Sequence, residues 1–159
     1  MAQIFFSHSS NDDSKVDHLS DWLKSEGHEE QFVDHRDIAA GISWNSELPR
    51  QAKRSEVFVL FVTSSWLDSD ECYAEYRSAY YSGKAVVPII VSNPVSGGSA
   101  EATVRFQTLC ASVQGIQVDT IPIETVSSVL LSGAIKSAMR KVIWDRRRRT
   151  IKRAILFAI

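Results

Sequence analysis

Two internal stretches of six or more residues carry no polar side chain: Val57-Phe58-Val59-Leu60-Phe61-Val62 and Ala85-Val86-Val87-Pro88-Ile89-Ile90-Val91. Apolar runs this short, rich in Val, Ile and Phe and bounded by turn residues, predict strands buried on both faces, as in parallel sheets. Residues 69–80 between them then form the crossover helix of a βαβ unit. Upstream, Gln3-Ile4-Phe5-Phe6 predicts another strand, followed by the polar Ser7-His8-Ser9-Ser10-Asn11-Asp12-Asp13. Val16, Leu19 and Leu23 recur at helical spacing, so a helix follows, with Ser10 or Asn11 as its cap, Asp12 and Asp13 in its first turn and Gly27 at its end.

The remaining signals are weaker. Gln31-Phe32-Val33-Asp34 is a short second strand, and residues 35–44, with Gly41 and no periodicity, read as a loop. A helix starting from Ser43 or Ser46 reaches about Arg54. Pro49 suits its first turn if Ser46 is the cap and kinks it if Ser43 is. Residues 92–99 form a loop, residues 104–111 a short helix and Gly115-Ile116-Gln117-Val118 an edge strand. The last helix, from about Thr125, places Val126, Leu130, Ala134, Ala138 and Val142 on one face, with Val129, Ile135 and Met139 beside it. Strand and helix thus alternate five times. The fold class is α/β, a flavodoxin-like three-layer sandwich: a five-stranded parallel sheet with helices on both faces.

Length and composition agree with one globular domain: 159 residues, 44% hydrophobic and 23% charged. Charge changes the picture more. Residues 140–153 hold eight Lys or Arg against Asp145 alone, leaving 10 basic and 18 acidic residues before them. An acidic body with a basic end excludes a uniformly basic nucleic-acid binder, and no specific nucleic acid is expected as partner. We divide the chain into a domain over 1–143 and a basic C-terminal tail over 144–159. The tail ends Ile155-Leu156-Phe157-Ala158-Ile159, as if a membrane-proximal or linker segment began there, and an anionic lipid surface is its expected contact. Cys72 and Cys110, without a signal-peptide pattern, fit a reducing, cytoplasmic setting.

The candidate chemistry gathers on the crossover helix. Glu71 and Glu75 lie four residues apart, hence on one helix face near its N-terminus and near the carboxyl end of a strand, where open α/β sheets bind ligands. On spacing alone two such acids are ordinary solvated charge. His8, His18, His28 and His35 lack ligand spacing, so no metal site is read. Cys72 reads as a small buried hydrophobe, and Ser9 and Ser10 as caps, since no nucleophile elbow surrounds them. A phosphoacceptor receiver of similar build is disfavoured, because the third predicted strand is not followed by the acceptor Asp.

Three blocks in order resemble the Toll/interleukin receptor (TIR) family: Phe6-Ser7-His8-Ser9-Ser10-Asn11-Asp12; Arg36-Asp37 with Gly41; and Ser69 followed by Cys72-Tyr73-Ala74-Glu75. The resemblance covers roughly residues 1–143. The family contains modules that assemble through the BB loop and enzymes that split NAD at the nicotinamide–ribose bond. It implies Glu75 as the catalytic residue, Ser7, His8, Arg36, Trp44 and Cys72 as substrate-binding positions, and Asp37, Ile38, Gly41 and Ile42 as the assembly surface. The expectation is an NAD glycohydrolase activated by self-association or by other TIR domains, in bacterial defence signalling, with NAD as substrate, no cofactor and no metal. The alternative is a non-enzymatic scaffold acting through the BB loop. Enzymatic relatives often carry an aromatic ring four residues before the glutamate, where this chain has Glu71. Tyr73, Tyr76 and Trp44 are the rings near enough in sequence to replace it.

Overall fold

The computed structural model describes residues 3–157 apart from 39, 92 and 119–124. Its sheet has five parallel strands in the order β2-β1-β3-β4-β5, comprising β1 (Ile4–Ser7), β2 (Gln31–Phe32), β3 (Val57–Val62), β4 (Ala85–Val91) and β5 (Ile116–Val118). The outer strands β2 and β5 are two and three residues long, so most of the pairing lies in β1, β3 and β4. All six residues of β3 are buried, as an unbroken apolar run at the centre of such a sheet requires.

Alternation along the strands divides the core into two layers. Ile4, Phe6, Val57, Val59, Phe61 and Ile89 face α1 (Asp13–Ser25) and α7 (Thr125–Phe157), packing on Val16, Leu19, Leu23, Leu131 and Ile135. Phe5, Phe58, Leu60, Val62 and Ile90 face the opposite way, toward α4 (Ser64–Asp68), α5 (Asp70–Tyr81) and α6 (Ala100–Ser112). Trp66, Leu67, Cys72, Tyr76, Ala79 and Leu109 complete that second layer. The remaining helices are α2 (Asp34–Asp37) and α3 (Trp44–Arg54).

Several local expectations are corrected. Of the capping candidates Ser9, Ser10 and Asn11, Ser9 caps the first turn, accepting from the Asn11 amide, and that turn is a 3-10 segment over Ser10–Asp12 before α1 begins. The stretch read as loop from residue 35 starts with the single turn α2, closed by Arg36 and Asp37 amides on the Val33 carbonyl. One turn is too short to leave a periodic trace. Ser43 is the N-cap residue of α3, so Pro49 lies inside the helix rather than in its first turn. α4 was not legible either: Thr63 caps it by accepting from the Trp66 amide at 3.2 Å. α6 starts earlier than expected because Ser99 caps it at Ala102. Gly115, expected to open the last strand, precedes β5; a Cβ there would meet Ile90 Cδ1 at 2.4 Å, so glycine permits the close approach.

The last helix turns a different face to the sheet. Leu131 and Ile135 are fully buried with Ala134, Ala138, Met139 and Val142 beside them, whereas Val129 and Leu130 are exposed. Three consecutive apolar residues offer two adjacent stripes, and contact with the sheet decides between them. Val126 has its side chain outside the described residues. α7 also runs without a break through the boundary drawn at residue 143, and Arg146 pairs with Glu56 at the foot of β3. Among the described residues no helix is long and apolar enough to cross a membrane.

Candidate active site

Glu75 stands in the second turn of α5, whose start is fixed by Ser69: its hydroxyl oxygen accepts from the Cys72 amide at 3.2 Å. Residues 71, 74, 75, 78, 79 and 82 share one face of this segment and form a wall of a groove of about 400 Å³. Leu48, Pro49, Ala52 and Lys53 of α3 form the opposite wall, and Phe58 of β3 is the aromatic that lines it. The volume is that of a small-molecule site. From Glu71 to Ser82 the wall extends roughly 16 Å at helical rise. One end carries the two carboxylates and the other carries Lys53 and Lys84. Lys84 is committed to structure, donating to the carbonyls of Ala52 at 2.8 Å, Lys53 at 2.9 Å and Ser55 at the end of α3.

The two acids differ in surroundings. Glu71 is exposed and accepts from the Ser69 hydroxyl at 3.2 Å. Glu75 is partly buried, and desolvation pushes its pKa from the usual 4.5 up to about 7. A hydrogen bond from Ser7 opposes that rise, while the charges of Asp34 and, more weakly, Glu71 add to it. Ser7 is the last residue of β1 and is fully buried. Its Oγ accepts from Trp66 Nε1 at 3.1 Å, so the indole occupies a lone pair of the hydroxyl and leaves its single proton for Glu75. Thr63, which caps α4, also donates to Asp12 at 2.6 Å and ties the loop after β3 to the loop after β1.

Of the residues expected at the site, Ser7 and Glu75 are brought together by a hydrogen bond. Cys72 is buried behind the groove, its thiol donating to the His8 carbonyl at 3.2 Å, and burial pushes it up to about 11. Such a thiol is a packing group and not a nucleophile. His8 is buried with its Nε2 turned toward Asp13, Asp34 and His35. Arg36 is paired with Asp17 at 3.3 Å and Asp21 at 3.0 Å on α1. The Trp44 side chain lies outside the described residues. In the expected assembly segment, Asp37 accepts from the Val33 amide at 2.6 Å and Ile38 packs on the second core layer. Gly41 has φ +88°, a conformation L side chains rarely adopt, and Ile42 is exposed.

Spacing along the chain missed three things. His8 and His35, 27 residues apart, meet in space with Asp13, a proximity that their spacing along the chain does not reveal. Trp66 was not singled out, although Thr63 three residues before it is a capping signal. Asp34 was read only as the end of a strand, yet its place after β2 at the carboxyl edge of the sheet was the available clue.

These features define a doubly wound α/β domain with one desolvated carboxylate beside the carboxyl end of β1. The TIR domain family model matches residues 4–119, and the chain belongs to that family. The TIR domains of the activated Roq1 resistosome, solved while directly recognizing the pathogen effector XopQ, are similar at 19% identity and TM-score 0.58. That match covers 89% of this chain and 99% of the other. The TIR domain of the Toll-related receptor TRR-2 from Hydra magnipapillata is similar at 14% identity and TM-score 0.49, over 57% of this chain and 70% of that one. No curated protein matches the chain.

Proposed function

We propose that this TIR domain is an NAD glycohydrolase in defence signalling, cleaving the nicotinamide–ribose bond with Glu75 as its catalytic residue once the domain self-assembles. The observation that carries the reading is Glu75 itself, a carboxyl whose pKa desolvation raises to about 7 in a groove with acids at one end and Lys53 at the other. A pKa displaced this far by burial, in a cleft, is a mark of a functional group.

One carboxylate suffices for the chemistry. Nicotinamide leaves as a neutral molecule from a cationic nucleotide, so the leaving group needs no proton, unlike the alcohol expelled in ordinary glycoside hydrolysis. The site must instead oppose the positive charge that develops on the ribose and hold its hydroxyls. Glu75 does the first as an anion and the second as a hydrogen-bond acceptor, oriented by Ser7. The cationic half of the substrate belongs at the acidic end of the groove and the pyrophosphate at Lys53. The exposed Ile42 next to Gly41 supports assembly through this segment, which is also what a purely scaffolding domain would use.

Incubating the assembled protein with NAD and following free nicotinamide tests the reading. Release by the wild type and a loss of at least about a hundredfold in Glu75→Ala are expected. No release, or equal release by the variant, leaves the scaffold as the function.

A further inference from the structure

We propose that His8, Asp13 and His35, with Asp34 beside them, form a binding site for a zinc-type divalent metal ion. The site uses none of the groove residues and is coupled to Glu75 only through the charge of Asp34.

Three ligand atoms converge from three segments. His8 Nε2, directly after β1, lies 3.2 Å from Asp13 Oδ1 at the start of α1 and 3.1 Å from His35 Nδ1 in α2. Asp13 Oδ1 and His35 Nδ1 are 3.6 Å apart. Asp34 Oδ1 is 3.3 Å from His8 Nε2 and 3.5 Å from His35 Nδ1. An ion bound tetrahedrally at 2.0–2.1 Å keeps its ligand atoms about 3.3 Å apart. The separations therefore match one triangular face of such a site, and Asp34 lies beside the two imidazole corners of that face.

Proton counting favours a cation at the centre. A neutral imidazole nitrogen donates one hydrogen bond, yet His8 Nε2 faces two carboxylate oxygens and a ring nitrogen. His35 Nε2 lies 3.0 Å from Asp17 Oδ1, so the proton of His35 goes to that carboxylate and Nδ1 presents a lone pair toward His8. Asp17 is held in turn by Arg36. Carboxylate, histidine, then metal is the usual support of a ligating imidazole, fixing its tautomer and raising its basicity. By contrast, His8 Nδ1 is buried without a hydrogen-bond partner among the described residues, so no protein acceptor holds its proton when Nε2 binds a metal. The two carboxylates bring two negative charges to two neutral rings, which one divalent ion neutralises. A nitrogen and oxygen set of this kind selects zinc, cobalt or copper over magnesium and calcium, which take oxygen ligands.

The bound ion would join the loop after β1, the first turn of α1 and the turn after β2, which leads into Gly41 and Ile42. The test uses chelator-treated protein, zinc chloride followed by calorimetry, and cobalt(II) followed by visible absorption. One ion per chain, a higher melting temperature with zinc and the d–d bands of tetrahedral cobalt are expected. His35→Gln and Asp13→Asn, neither at a fully buried position, should weaken the ion at least tenfold. His18→Gln, at an exposed histidine outside the cluster, and Glu75→Gln, in the groove, should bind as the wild type does. Absence of stoichiometric binding, or equal binding by His35→Gln, overturns the proposal and leaves a hydrogen-bonded histidine pair.

Discussion

Two acidic regions lie side by side at the carboxyl edge of β1, and they differ in almost every physical respect. In the groove, Glu75 is desolvated, has Ser7 as its hydrogen-bond donor and shares the lining with Phe58 and the apolar wall of α3. In the neighbouring cluster, Asp13, Asp17, Asp21 and Asp34 are shared among His8, His35 and Arg36 at ion-pair distance. The first arrangement leaves a carboxylate short of partners and therefore reactive toward any cation that enters. The second surrounds carboxylates with nitrogen ligands and holds neighbouring segments together. Identical side-chain chemistry thus divides into a proposed catalytic role and a binding role by solvation and partner count alone.

The largest expected break in this contrast comes from Glu75→Gln, which removes the charge and keeps the shape. The folded protein holds the Glu75 proton to higher pH than the unfolded chain, so wild-type stability falls as pH rises from 4.5 through about 7. Glutamine escapes that loss. Denaturant unfolding should show the variant more stable by about 2 kcal/mol at pH 8 and no more stable near pH 4. An activity that depends on the anion should, in the wild type, rise with pH through about 7 under the same conditions.

A smaller effect should follow from Trp66→Phe, which keeps the ring and deletes the hydrogen bond to Ser7. A net bond of about 1 kcal/mol corresponds to roughly fivefold in rate. With Ser7 free to turn its proton away, the acid limb of the pH profile should also move upward. An unchanged profile would show that Ser7 needs no indole to orient it. The smallest effect on the groove belongs to the tail. Replacing residues 146–149 by alanine should leave nicotinamide release within twofold while reducing co-sedimentation with phosphatidylserine vesicles, by the loss of surface charge attraction.

The parts of this molecule that were legible in the sequence are those in which one interaction dominates. The apolar runs at residues 57–62 and 85–91 became β3 and β4, because a fully buried strand has little choice of residue. Residues 69–80 were read as a crossover helix with Glu75 near its N-terminus, and α5 is that helix, because neighbouring parallel strands need such a connection. What escaped were features set by contact between distant segments. Nothing near Trp66 in the chain announces that its nitrogen meets Ser7, 59 residues away. The meeting of His8 with His35 follows from β1 pairing with β2, which aligns the residues beyond each strand. Leu131 rather than Leu130 faces the core for the same reason, because an edge of the sheet chose the stripe.

α7 has a mechanical consequence. Its 33 residues make a rod about 50 Å long, clamped to the sheet through Leu131, Ile135 and Met139 and tied again at Arg146 to Glu56. A continuous helix conserves angle as well as distance. The azimuth at which Trp144 and Arg148 point is therefore locked to the orientation of the sheet. Each residue added between the clamp and that pair would turn it by about 100° and advance it by about 1.5 Å. The rod acts as a phase-keeping shaft, and its register, more than its composition, sets which way the body faces relative to whatever the basic surface touches.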